Sequence, residues 1–171
     1  MIFFQKDNFF TEEESLIMDQ MLLDETKHFP WFFARSQVEQ DNIPYFSHTL
    51  VDRDGKVTSH FFDFFHKINL RFCEAVNYKP KKIIRSCVNL TLPFIGKPTL
   101  HIDHYEPHFQ ILMYLNDSTG STDIYKDNNI VKSIQPKKGR VIMFDKHYHL
   151  GNSPTEPNQI RAICITTFNV E

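Results

Sequence analysis

From residue 83 onward the chain is a succession of short apolar runs divided by turn residues, with no helical pattern between them. The runs at 83–92, 109–116, 122–125, 130–134, 140–144 and 161–169 are rich in Ile, Val, Leu, Phe, Tyr and Thr, the side chains that fit a pleated surface. Asn116-Asp117-Ser118, Asp127-Asn128-Asn129, Pro136 to Gly139 and Gly151 to Pro157 lie between them and supply turn chemistry. Short strands in this arrangement predict an antiparallel sandwich or barrel, not a sheet wound through crossover helices. In the first run Ile84, Ser86, Val88, Leu90 and Leu92 share one face, and Arg85, Cys87, Asn89 and Thr91 share the other, because side chains alternate along a strand.

The N-terminal part reads differently. Thr11 followed by Glu14 is a capping-box pattern, and the acidic run Glu12, Glu13, Glu14 suits the positive end of a helix. With Leu16, Ile17, Met21, Leu22 and Leu23 behind it, the pattern predicts a helix over 11–25. Phe61, Phe62, Phe65, Ile68, Phe72 and Val76 predict a second over 59–77, with Ser59 as its cap. The stretch 29–57 is mixed. Pro30 and Pro44 break helices there, and Asp54-Gly55 predicts a hairpin turn joining 47–51 to Val57. At 171 residues, with no internal repeat, the chain is expected to be one domain, 1–171. Helical support and the mixed segment occupy 1–80, and a β core occupies 81–171.

Composition excludes some functions. The formal net charge is −2, so no basic field draws in nucleic acid, and a nucleic-acid partner is not expected. The 17 phenylalanines read as an aromatic core. Cys73, Cys87 and Cys164 are odd in number, far apart and beside apolar stretches, which fits reduced core thiols. The opening MIFFQKDNFF has no basic n-region and no long apolar run. Neither a signal peptide nor a membrane span is expected, and the expected location is cytoplasmic.

Chemistry concentrates at His101-Ile102-Asp103. On a strand, residues i and i+2 point to one side, so an imidazole and a carboxylate could aim at one ion. His149 is the best third ligand, although His104, His108 and His147 compete. Alternation does not choose between His147 and His149. Two His and one carboxylate leave open coordination positions, an arrangement suited to Fe(II). An isolated His-x-Asp is a weak motif. Arg161 shares a strand face with Ile163 and Ile165 where both faces read as buried. A guanidinium there needs an anion, either a bound dicarboxylate or an internal Asp or Glu. Tyr114, on a face with Gln110 and Leu112, could donate to the same carboxylate or serve as a core Tyr.

Together these residues resemble the 2-oxoglutarate- and Fe(II)-dependent oxygenase superfamily, over roughly residues 83–168. The shared elements are His101-Ile102-Asp103, Tyr114-Leu115-Asn116, the run from Pro136 through Gly139-Arg140 to Phe144, His149-Leu150-Gly151-Asn152-Ser153-Pro154, and Arg161. Their order is most similar to compact prolyl-hydroxylase-like bacterial and phage members. In that branch the last ligand sits in a His-x-Gly-x-x-Pro turn, which selects His149 over His147. The resemblance implies a double-stranded β-helix, a cupin-like jelly roll, with supporting N-terminal helices. It implies Fe(II) on His101, Asp103 and His149, and 2-oxoglutarate with its distal carboxylate on Arg161, assisted by Tyr114. It further implies O2 as oxidant and hydroxylation of a peptidyl or free amino-acid side chain such as proline. Gly120-Ser121-Thr122 stands where the family often has Gly-Gly-Thr. Asn89 and Arg85 touch substrate or co-substrate if their face lines the cavity. Two other functions compete. Oxidation of a nucleic-acid base usually goes with a second Arg soon after the first, absent from Ala162 to Phe168. A non-catalytic cupin-like metal module would not need Arg161.

Overall fold

The computed structural model describes residues 1–24, 29–36, 43–94, 96 and 98–170. Two helices and ten strands follow in the order β1 (Phe3–Lys6), α1 (Glu12–Leu23), β2 (Phe32–Ala34), β3 (Tyr45–Val51), α2 (Phe62–Ala75), β4 (Ile83–Thr91), β5 (His108–Tyr114), β6 (Thr122–Lys126), β7 (Asn129–Ile134), β8 (Val141–Asp145), β9 (Tyr148–Gly151) and β10 (Arg161–Asn169).

Helix α1 starts where its cap dictates. The Thr11 hydroxyl accepts from the Glu14 N–H at 3.1 Å, and the Glu14 carboxylate accepts from the Thr11 N–H at 2.8 Å. The same carboxylate takes both ends of the Arg71 guanidinium, at 2.5 and 2.6 Å, tying α1 to α2. Residue 25, the expected end of this helix, lies outside the described residues. Helix α2 begins later than expected, and Ser59 is not its cap. The Ser59 hydroxyl instead bonds His48 Nε2 at 2.7 Å and the Phe61 N–H at 3.1 Å. A tertiary partner has taken the oxygen that local pattern assigned to the helix end.

The strands form two antiparallel sheets, one ordered β1-β8-β5-β10-β4-β3-β2 and a smaller one ordered β7-β6-β9. The fold is thus mainly β, a jelly roll with supporting helices. The first third of the chain is less helical than its sequence suggests. It contributes β1 beside β8, and β2 and β3 at the opposite edge. Asp127 and Asn128, both at positive φ, form the turn between β6 and β7, as the turn residues predicted. Asp54-Gly55 likewise closes on a Val51–Val57 bridge.

Alternation along the strands of the large sheet builds two separate interiors. Phe109, Ile111 and Met113 of β5, Val141 and Met143 of β8, and Ala162, Cys164 and Phe168 of β10 join one cluster with Met18 of α1 and Phe65, Ile68 and Phe72 of α2. Leu112, Tyr114, Ile142, Phe144 and Ile163 face the other way, against Ile124 and Ile134 of the small sheet. Both faces are therefore covered, which explains why these strands read as near-continuous apolar runs. Each fully buried Phe or Ile contributes about 1.5–3 kcal/mol through burial. One polar tie crosses the helix side: Asn69 of α2 donates to the Thr166 hydroxyl at 3.0 Å, and Thr166 bonds Ser86 at 2.7 Å. All three cysteines are free and buried. Among the described residues no helix is long and apolar enough to cross a membrane.

Candidate metal centre

Between the two sheets lies a cavity walled by alternate residues of neighbouring strands. Arg85, Cys87, Asn89 and Thr91 come from β4, and Arg161, Ile163, Ile165 and Thr167 from β10. Register sets them in rungs, with Thr91 opposite Arg161, Asn89 opposite Ile163, Cys87 opposite Ile165 and Arg85 opposite Thr167. The face of β4 that carries Arg85 and Asn89 is the cavity face. Tyr45 and Leu112 of the large sheet, Thr122 and Gly151 of the small one, and His101, Asp103, His104 and His149 complete the lining.

His101, Asp103 and His149 converge, with one ligand atom from each lying within 4.8 Å of the others. Their backbone is mostly loop. His101 forms only an isolated bridge to His149, and Ile102 and Asp103 belong to no strand. Reciprocal bonds between the two histidine backbones, His101 N–H to His149 O at 3.1 Å and His149 N–H to His101 O at 2.9 Å, bring the ligands together. Each ring is anchored from behind. His101 Nδ1 donates to Thr99 O at 2.8 Å, and His149 Nδ1 to His147 O at 3.0 Å. A proton fixed on Nδ1 leaves the Nε2 lone pair free, as a metal-binding imidazole requires. Gln110 Nε2 lies 3.4 Å from His149 Nδ1, packing its amide against the back of the ring.

His149 Nε2 sits 3.6 Å from Asp103 Oδ2. That oxygen is buried with no hydrogen-bond partner. Burial lowers the His149 pKa against the pull of Asp103. Burial raises that of Asp103, but the charges of His149, His101 and Arg85 outweigh it and hold the carboxyl below its ordinary range. Metal binding requires His149 neutral and Asp103 ionised. The donor set, two imidazole nitrogens and one carboxylate with the rest of the sphere open, fits Fe(II).

The rival histidines stand outside this converging group. His147 precedes β9, and its Nδ1 lies 2.9 Å from Asp145 Oδ1. His104 Nε2 bonds the Thr167 hydroxyl at 2.8 Å, and burial drops its pKa to about 4. His108 Nδ1 donates to Glu106 O at 2.8 Å.

Arg161 is 3 % exposed. Its Nε donates to Gly120 O at 2.8 Å and its Nη2 to the Thr122 hydroxyl at 2.6 Å. No carboxylate among the described residues lies within ion-pair distance of it, and Asp123 nearby is taken up by Ser121, Ser133 and Asn152. Burial accordingly lowers the Arg161 pKa. Gly151 lies flat against the guanidinium, since a Cβ there would stand 3.1 Å from Nη1. Tyr114 presents its ring with the centroid 5.9 Å from Arg161 Cζ, and its buried hydroxyl lies beside Arg161 and Thr122. Asn89 lines the same cavity, with Oδ1 accepting from Ser47 at 2.7 Å. Gly120 and Thr122, the two groups that hold Arg161, were not singled out for that task from the sequence. Both are neutral acceptors in a turn and a strand start, and nothing in their spacing marks them.

No protein-family model and no curated protein sequence matches this chain. Solved structures do. A 2OG-Fe(II) oxygenase family oxidoreductase from Burkholderia pseudomallei superposes with a TM-score of 0.71 at 14% identity, over 98% of this chain and 84% of its own. A Pseudomonas putida prolyl-4-hydroxylase superposes with a TM-score of 0.67 at 11% identity, over 99% and 92%. The viral collagen prolyl hydroxylase of Paramecium Bursaria Chlorella virus-1 gives 0.62 at 15% identity, over 100% and 97%. The chain therefore has the fold of the 2-oxoglutarate/Fe(II) oxygenases, across its whole length and including the N-terminal helices.

Proposed function

We propose that this protein is a 2-oxoglutarate- and Fe(II)-dependent dioxygenase that hydroxylates a C–H bond, on a peptidyl or free amino-acid side chain such as proline. The observation that carries the reading is a complementary pair of defects in one cavity. A buried carboxylate oxygen beside two back-anchored imidazoles lacks a cation, and the buried guanidinium of Arg161 lacks an anion. Leaving either uncompensated is costly. Fe(II) and a dicarboxylate would resolve both.

In this reading His101, Asp103 and His149 hold the iron, which supplies O2 activation coupled to decarboxylation of 2-oxoglutarate to succinate and CO2. Arg161 receives the distal carboxylate through its free edge while Gly120 and Thr122 fix the guanidinium plane. Tyr114, whose hydroxyl lies beside Arg161, donates to the same carboxylate. Ile163, Ile165 and Leu112 form the apolar wall between the two ends and exclude water from the co-substrate's chain. Asn89, already fixed by Ser47, offers its amide hydrogens to the co-substrate.

Measuring succinate and CO2 from 2-oxoglutarate with added Fe(II), together with a Mn(II) titration, tests the assignment. Metal uptake with 2-oxoglutarate-dependent succinate formation is expected. Pure folded protein that binds neither metal nor 2-oxoglutarate would refute it.

A further inference from the structure

A second guanidinium, that of Arg85, faces the same cavity. It sits on β4 opposite Thr167, at the end remote from Arg161. The Thr167 hydroxyl donates to Arg85 O at 3.3 Å and accepts from His104, fixing this corner. The Arg85 side chain is half-buried and reaches Tyr45, to which it donates, and the neighbourhood of Asp103. Among the described residues no carboxylate lies within 4.0 Å of it, and Asp103 is the only acidic residue in the cavity wall.

Charges in the cavity can be matched locally, resting on the oxygenase reading above. Asp103 and the carboxylate beside the 2-oxo group balance the dication, and the distal carboxylate balances Arg161. Arg85 is then left without a counter-charge. The geometry points to a prime substrate that carries a carboxylate received by Arg85: a small monocarboxylic acid, not a residue within a peptide chain. A guanidinium fork matches a carboxylate in two hydrogen bonds, with Tyr45 holding the fork in place.

The test is a calorimetric titration of the full chain, loaded with Mn(II) and N-oxalylglycine, with L-amino acids and their N-acetyl derivatives. Each is supplied as the free acid and as the carboxamide, beside an end-blocked proline peptide. At least one acid is expected to bind, with its amide roughly tenfold or more weaker, since the amide forfeits a charge-assisted pair. Arg85→Gln should erase that difference while leaving the N-oxalylglycine affinity within about twofold, and Arg85→Lys should keep part of it. The inference is overturned if amides bind as well as acids, if only the blocked peptide binds, or if no acid binds. It is also overturned if Arg85→Gln weakens N-oxalylglycine instead. The comparison of acid with amide on the unmutated protein stands even where a variant fails to fold. Should the unmutated protein take up neither Mn(II) nor N-oxalylglycine, the oxygenase reading itself falls.

Discussion

At the metal end of the cavity the side chains come from backbone that barely belongs to a sheet. His101 and Asp103 lie outside every strand and are gathered by one isolated bridge to His149. At the far end Arg161 opens the regular nine-residue strand β10, with partners on both sides of its strand. The polar accounting differs as well. The metal end leaves a carboxylate oxygen with no donor, whereas the Arg161 end satisfies its guanidinium partly, with neutral acceptors only. A site for a small, strongly bonding ion can be assembled from loops, because the ion itself fixes the geometry of its ligands. A site for a carboxylate must be prebuilt on rigid elements, because two hydrogen bonds cannot order a loop.

That contrast can be broken most sharply at Asp103. Asp103→Ala should reduce Mn(II) affinity by more than about 100-fold, beyond what loss of an outer partner costs. The thermal midpoint of the metal-free protein should be unchanged or higher, since an unpaired buried charge has gone. Calorimetry and a melting curve check both parts. If the metal-free protein unfolds, the carboxylate is a structural anchor and the two ends are alike. Arg161→Ala should weaken 2-oxoglutarate by roughly 2–5 kcal/mol with metal affinity retained, the usual cost of stranding one partner of a buried charge pair. Equilibrium binding to the Mn(II) form measures it.

Gly151→Ala probes how tightly the far end is prebuilt. The new methyl would stand 3.1 Å from Arg161 Nη1 and push the fork aside, costing roughly tenfold in 2-oxoglutarate affinity through misplacement and leaving Mn(II) binding intact. The smallest effect belongs to a carboxylate outside the cavity that is fully paired. Burial raises the Glu14 pKa, but hydrogen bonds from Arg71 and Thr11 hold it below its ordinary value. A depressed carboxyl stabilises the fold above its unfolded pKa, and that contribution is lost as pH falls through the folded pKa. Glu14→Gln should therefore cost about 1 kcal/mol or less at neutral pH, since Arg71 is partly exposed. Its urea midpoint should converge with that of the unmutated protein in acid.

Much of the fold was legible where local chemistry decides it. The Thr11–Glu14 cap, the Asp127-Asn128 turn and the alternation in β4, β5 and β10 all depend on neighbours within a few positions. Strand β1 was not legible. Phe3–Lys6 is short, and what makes it a strand is β8 at the far end of the chain, pairing Phe3 with Phe144. Ser59 misled for a related reason: its spacing suits a cap, but His48 from β3 claims its hydroxyl. The same-side pairing that alternation allows for His101 and Asp103 arises here without a strand, from a loop pinned at one point.

By itself the sequence determined the donor types, their order along the chain and the face on which each strand residue lies. Those follow from side-chain chemistry and a period of two. Strand alternation left His147 and His149 equal and the His-x-Gly-x-x-Pro turn favoured His149; the tertiary structure puts His147 against Asp145 and His149 in the cavity. It alone revealed that Arg161 and Arg85 share one chamber with Asp103, the one acid there among the described residues. Periodicity fixes direction but not distance, and charge balance in a cavity depends on which distant side chains the packing of two sheets brings within reach.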